Sequence, residues 1–284
     1  MSADQPLIVS NIHESADVLR ARFQEWGYLY IKNYVSQEAC NSLLHDFVDV
    51  LAPHIALDAK SGLPILTGEP FAETEPTWDV VYPKMQALES FHAFFHAEPI
   101  KQLMQLVADD EVFVYPMKMA RISTPNKLGF ETPPHQDARS HVAGPTMAGF
   151  WVALHDITTP MGRLKVLPKS HIKGVREIVP ALGVGNVQCE IFPEETTWHV
   201  SDVEQGDVII FHSCTVHAAQ PNVTPNIARM SVDTRFCDYG APVYNSNMQP
   251  HHAWRIPVLD WEYIYRDWQN KDLQYYWKSY PAEW

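Results

Sequence analysis

The chain has 284 residues, 46 % hydrophobic and 19 % charged, with a formal net charge of −13. That length suits one large domain, and the apolar share is ample for a sizeable core. The acidic balance argues against a nucleic-acid or anionic-membrane partner, since both need a basic patch.

Four cysteines without a C-x-x-C pair, Cys40, Cys189, Cys214 and Cys237, read as reduced thiols of a cytoplasmic protein. The N-terminal residues lack the basic and apolar regions of a signal peptide, and no uncharged apolar run reaches the length of a membrane span.

From about Glu14 to Trp26 the residues Leu19, Phe23 and Trp26 recur at helical spacing. Gly27 ends that helix before a strand, Tyr28-Leu29-Tyr30-Ile31. Ser36 opens a second helix with an apolar face of Leu43, Leu44, Phe47 and Leu51. Residues 61–83 carry Gly62, Pro64, Gly68, Pro70, Pro76 and Pro83 and read as a long loop, either a lid or an ordered crossover. Helices around 85–97 and 98–108 follow, with Phe91, Phe94, Phe95 and Leu103 as packing residues.

From Val112 the pattern changes to short strands at 112–123, 149–155, 164–167, 199–203, 208–211 and 228–236, a spacing that suggests a sandwich or barrel. No linker separates the two parts. The reading is one domain, with a helical buttress over about 1–110, a β core over about 111–237 and an aromatic helical tail over about 250–284.

In the last strand Arg229, Ser231, Asp233 and Arg235 share one face, and Met230, Val232, Thr234 and Phe236 share the other. The polar face is either a solvent-facing edge or the lining of a ligand-filled interior. Closeness to His217 favours the interior for Arg229 and Ser231 and leaves Arg235 open. In the tail, Trp261, Ile264, Tyr265 and Trp268, with Asp260 as N-cap, form an aromatic stripe that belongs to the core or to the interface of a homodimer.

The chemistry centres on Pro134-His135-Gln136-Asp137. In a strand, residues i and i+2 point the same way, so His135 and Asp137 can address one point. His217, from a distant strand, would complete a facial triad of the kind used by non-haem Fe(II) oxygenases, with three positions left open for a co-substrate and O₂. His-x-Asp alone is a weak signal in a chain with 14 histidines. The ordered context raises it: Gly162-Arg163-Leu164 through Pro168-Lys169-Ser170-His171, then Gly206-Asp207-Val208 through Phe211-His212, then His217, Pro221-Asn222 and Arg229-Met230-Ser231.

This set resembles the phytanoyl-CoA dioxygenase family of Fe(II)/2-oxoglutarate oxygenases over about residues 15–237, most strongly over 130–236. Lys169 departs from the pattern, standing where the family usually has Gly. The resemblance implies a mainly β fold with flanking helices, the double-stranded β-helix or cupin-like jelly roll. It implies Fe(II) held by His135, Asp137 and His217, and 2-oxoglutarate held by Arg229 with Ser231 on its distal carboxylate. A guanidinium suits that task, because its planar fork pairs with a carboxylate through charge-assisted hydrogen bonds. Trp151 stands near the co-substrate or merely packs the barrel. Lys118 and Arg121 lie on a strand that approaches co-substrate or substrate, and Arg121 is the substrate contact.

The implied activity is O₂-dependent oxidation of a small organic metabolite, hydroxylation by default, with release of succinate and CO₂. Desaturation, ring closure, epoxidation and C–N cleavage stay open. Asp137 speaks against halogenation, since the family's halogenases lack that carboxylate. The acidic balance favours a neutral, zwitterionic or cationic substrate over a CoA thioester. His212 matches a position that is not a ligand, His171 closes a turn, and His251-His252 reads as an exposed pair. Two other classes compete. A non-redox metal-dependent jelly-roll enzyme would have no task for Arg229 and Ser231. A catalytically silent metabolite-binding protein would not need the intact ligand set.

Overall fold

The computed structural model describes residues 4–68, 71–73, 75–125, 131–142, 144, 146–183 and 186–281. Helix α1 (Ala16–Trp26) begins at Ser15, whose hydroxyl accepts the Val18 N–H, and stops at Gly27, where φ is +78°. A Cβ at Gly27 would stand 2.3 Å from His171 Nδ1, so conformation and space both require glycine there. Strand β1 (Tyr28–Ile31) follows directly, and α2 (Gln37–Leu51) is capped by the Ser36 hydroxyl.

The stretch read as one long loop is structured over much of its length. Strand β2 (Ile55–Leu57) pairs with β3 (Pro64–Leu66), and α3 spans Pro76–Gln86. Pro76 occupies the first turn, where its missing N–H would have had no helical partner. Trp78 and Tyr82 stack at 5.0 Å and hold α3 on the core in spite of Pro83. Residues 69, 70 and 74 of this stretch lie outside the described residues. Helices α4 (Glu89–His96) and α5 (Glu98–Gln105) are separated by the extended backbone of Ala97.

After β4 (Val112–Ser123) come the one-turn helix α6 (Asp137–Ser140), β5 (Ala148–Ala153), β6 (Leu164–Val166), β7 (Ile178–Pro180), β8 (Val187–Cys189), β9 (His199–Val200), β10 (Val208–His212), β11 (His217–Ala219), β12 (Arg229–Asp238) and α7 (Trp261–Tyr265). The main sheet has the order β1-β10-β5-β12-β4 and is antiparallel throughout. A smaller sheet, β11-β6-β9, completes the jelly roll, while β7 and β8 form a separate hairpin.

Alternation along the main sheet sorts its residues. Leu29, Ile31, Phe150, Val152, Ile210 and Val232 face outward into a large core shared with the helices. Tyr28, Tyr30, Trp151, Ile209 and Phe211 face inward, packing with Val166 of the smaller sheet. Trp261, Ile264, Tyr265 and Trp268 join the outward core of this same chain. Among the described residues, no helix is long and apolar enough to cross a membrane.

Candidate metal centre and active site

His135 and His217 pair across an antiparallel bridge, each N–H donating to the other's carbonyl at 3.0 and 3.1 Å. That pairing sets the two imidazoles side by side, with centroids 4.1 Å apart. Asp137 does not continue a strand, as the sequence had suggested: the chain turns at Gln136, and Asp137 is the first residue of α6. Gln136, unremarked in the sequence, anchors the turn. Its buried amide donates to the Gly174 and Cys214 carbonyls and accepts the Arg176 N–H.

The turn brings Asp137 Oδ1 to 4.0 Å from His135 Nε2 and 3.9 Å from His217 Nε2. One ligand atom from each of the three residues lies within 4.8 Å of the others. His135 Nδ1 stands 2.9 Å from the Pro133 carbonyl and His217 Nδ1 3.0 Å from that of Thr215. A carbonyl only accepts, so each Nδ1 carries the proton and each Nε2 presents its lone pair. Burial pushes His135 down to about 3 and lowers His217 as well, so both rings are neutral. Burial opposes ionisation of Asp137, but Arg235 and the neighbouring histidines outweigh it and hold the carboxyl below its ordinary range. Two neutral imidazoles and one carboxylate form a donor set that fits Fe(II).

A cavity of about 560 Å³ reaches both histidines and also Trp151 and Arg229. Arg229 Nη1 donates to Ser231 Oγ at 2.8 Å, and Trp151 Nε1 donates to the same oxygen at 3.0 Å. Both partners are donors, so the Ser231 oxygen accepts twice and its own O–H is left to donate elsewhere. Among the described residues no carboxylate lies within ion-pair distance of Arg229, and its buried Nε has no partner. Burial lowers its pKa to about 10. A buried cation lacking a countercharge is costly, and the carboxylate of a bound molecule would relieve it.

Further along β12 the polar residues are already paired. Asp233 accepts from Arg121 Nε at 2.8 Å and from Arg235 Nη1 at 2.6 Å. Arg235 also contacts Asp137. Arg121 therefore lines the cavity as a paired cation. Lys118 does not face the site. It is buried beneath the helices, 5.7 Å above the Phe95 ring, because its position in β4 points to the opposite side from Arg121.

His251 and His252 are not an exposed pair. Both line the cavity, His252 is only 6 % exposed, and its Nε2 is 3.2 Å from Glu73. His251 Nδ1 meets the Tyr82 hydroxyl at 2.5 Å, and Arg255 pairs with Asp79 at 2.7 Å. His251, His252 and Arg255 thus meet Tyr82, Glu73 and Asp79 at the cavity mouth. No local pattern in the sequence pointed to this encounter between distant stretches.

The remaining motif residues set the frame. Ser170 Oγ donates to the Leu167 carbonyl and accepts the Val216 N–H at 2.8 Å, which fixes the approach to His217. Lys169 keeps the turn in the left-handed region, φ +62°, without being glycine. Asn222 Nδ2 ties the Ser123 and Ile227 carbonyls together. His212 accepts the Cys214 N–H and lines a different cavity with His171.

A jelly roll that encloses two histidines and a carboxylate beside an unpaired arginine is the architecture of non-haem iron, 2-oxoglutarate-dependent oxygenases. The sequence model of the phytanoyl-CoA dioxygenase family matches residues 23–231. The chain belongs to this family, and it is a non-haem iron enzyme that uses Fe(II), 2-oxoglutarate and O₂.

A 1-deoxypentalenic acid 11-beta-hydroxylase of Streptomyces exfoliatus is 27 % identical over 78 % of this chain and 81 % of its own length. That of Streptomyces arenae is 26 % identical over the same shares. Among solved structures, the non-heme alpha ketoglutarate dependent epimerase SnoN from nogalamycin biosynthesis superposes with a TM-score of 0.57 at 20 % identity, covering 80 % of this chain and 85 % of its own. At that identity the likeness speaks for the fold.

Proposed function

We propose that the chain hydroxylates a small organic metabolite, with His135 Nε2, Asp137 Oδ1 and His217 Nε2 as the iron ligands. Bound Fe(II) and 2-oxoglutarate supply the chemistry: O₂-dependent decarboxylation to succinate and CO₂, coupled to oxidation of a substrate C–H bond. The protein's part is to bind and orient. The Pro133 and Thr215 carbonyls fix the histidine tautomers. Arg229 and the free Ser231 O–H take the distal carboxylate of 2-oxoglutarate, and Trp151 holds Ser231 in place. Arg121 contacts the substrate, with Glu73, Trp78, His251, His252 and Arg255 among the rest of its surroundings.

The unpaired, buried guanidinium of Arg229, in the cavity that also reaches His135 and His217, carries this reading. It also speaks against a non-redox metal enzyme, which would have nothing to neutralise it. The hydroxylase names of the two Streptomyces relatives support hydroxylation, and the cavity volume supports a small substrate.

The test is anaerobic addition of Fe(II) and 2-oxoglutarate, followed by O₂ and a metabolite library. The expected results are a weak visible charge-transfer band, iron-dependent succinate release and a product heavier by one oxygen atom. His135→Ala and His217→Ala should each abolish the band. A full-strength band in both variants would mean that other residues hold the metal.

A further inference from the structure

Asp137 is held from behind as well as offered in front. Arg235 Nη2 donates to Oδ1 at 2.8 Å, and Nε stands 2.6 Å from Oδ2, an ionic contact out of line for a hydrogen bond. The third guanidinium nitrogen, Nη1, donates to Asp233 Oδ2 at 2.6 Å. Asp233 is itself fixed by the two contacts from Arg121, at 2.8 and 3.3 Å. The side chains of Asp137, Asp233 and Arg235 are each at most 4 % exposed, so neither water nor a mobile ion can take over these contacts.

The geometry is asymmetric about the carboxylate. Oδ1 is the oxygen within 4.0 Å of both Nε2 atoms. Oδ1 also takes the Arg235 Nη2 hydrogen bond, whereas Oδ2 has the Arg235 Nε contact. A free carboxylate beside a metal ion can swing to chelate it through both oxygens and consume a second coordination position. A guanidinium fork that touches both oxygens at once opposes that swing, whereas a lysine, as a point charge, would oppose it weakly.

We propose that Arg235, braced by Asp233, is a positioning residue that restricts Asp137 to one-oxygen ligation. It thereby keeps three metal positions open, two for 2-oxoglutarate and one for O₂. The inference rests on the ligand set proposed above. It adds a task for the two β12 residues that neither bind the co-substrate nor ligate the metal.

The test compares wild type with Arg235→Lys, which keeps the charge and loses the fork, and with Asp233→Asn, which is nearly isosteric and loosens the brace. Three quantities are read: affinity for Co(II) alone, the visible absorption of the Co(II) form as a measure of coordination number, and the 2-oxoglutarate titration of the anaerobic Fe(II) band. Arg235→Lys should bind metal, show an altered Co(II) spectrum and need several-fold more 2-oxoglutarate, since a second Asp137 oxygen on the metal would compete with it for a coordination position. Asp233→Asn should move the same readouts in the same direction, by less. An Arg235→Lys protein that matches wild type in Co(II) spectrum and titration would overturn the proposal, since charge alone would then suffice. If the lysine variant does not fold, an Asp233→Asn protein indistinguishable from wild type overturns it equally. Absence of the band in wild type would instead sink the ligand set, and this inference with it.

Discussion

Arg229 and Arg235 share one face of one strand, yet their surroundings give them opposite tasks. Around Arg235, burial is outweighed by Asp137 and Asp233, which keep its pKa raised. Around Arg229, burial dominates and the guanidinium waits for a carboxylate. Arg229→Ala should therefore raise the 2-oxoglutarate requirement while leaving iron binding nearly unchanged. Loss of a buried charge partner costs about 2–5 kcal/mol, roughly 30-fold to several thousand-fold in affinity. Titration of the charge-transfer band, alongside an iron affinity, measures both; if Arg235→Ala weakens the co-substrate in this way and Arg229→Ala does not, the roles are reversed. Alternation along 228–236 made all four polar residues visible in the sequence. The sequence favoured Arg229 for the interior but left Arg235 open, because its surroundings depend on Asp137, which reaches it from 98 residues away.

At the scale of elements, local signals translated well wherever the chain's own neighbours decide the outcome. Ser36 and Asp260 cap the helices that their positions announced. They failed where tertiary packing decides. Prolines made 76–83 read as loop, yet the core holds a helix there. The histidine pair at 251–252 looked exposed, yet it is covered by Glu73 and Tyr82 from a remote stretch. His135, Asp137 and His217 do meet, but by another local route than the sequence suggested: a turn pinned by Gln136, not a strand, aims Asp137 at the histidines.

One strand pair matters directly to the metal. Gly149 on β5 faces Phe211 on β10, and Phe211 lies against the His217 ring at 4.2 Å. A Cβ at Gly149 would come within 2.3 Å of the Phe211 ring. Gly149→Ala should push that ring toward His217, costing about 1–3 kcal/mol of stability as overpacking and weakening iron binding. Thermal melts and an iron titration check the two effects; a variant with wild-type values for both would show that the ring has room to yield.

Over the whole molecule, burial leaves many histidines neutral. It lowers His92 and His135 to about 3, and His141, His155 and His212 to about 4. An unfolded histidine titrates near 6.5, so below that pH the unfolded chain takes up protons that the folded chain refuses. Stability should thus fall as pH drops from about 6.5 toward about 4, by up to about 1.4 kcal/mol per pH unit for each such histidine. Asp137 and Asp233, depressed in the fold despite burial, contribute with the same sign at lower pH. Their stabilisation is present above about 3.9 and is lost as pH falls through their folded values. The metal-free protein should show a melting temperature that declines steeply between pH 6.5 and 4; a flat profile across that window would mean these rings are solvated.

The cavity mouth has a consequence for how such an enzyme changes over generations. The metal end is woven from paired strands, where a substitution disturbs several partners at once. The mouth is two stretches outside the sheets that touch through an ion pair, Asp79 with Arg255, and through the contact of Glu73 with His252 Nε2. A change of sign on one side leaves its opposite number uncompensated until the other side answers. Altered substrate choice should therefore be inherited as matched substitutions in residues 71–86 and 250–255, while the oxidative chemistry beneath them passes down untouched.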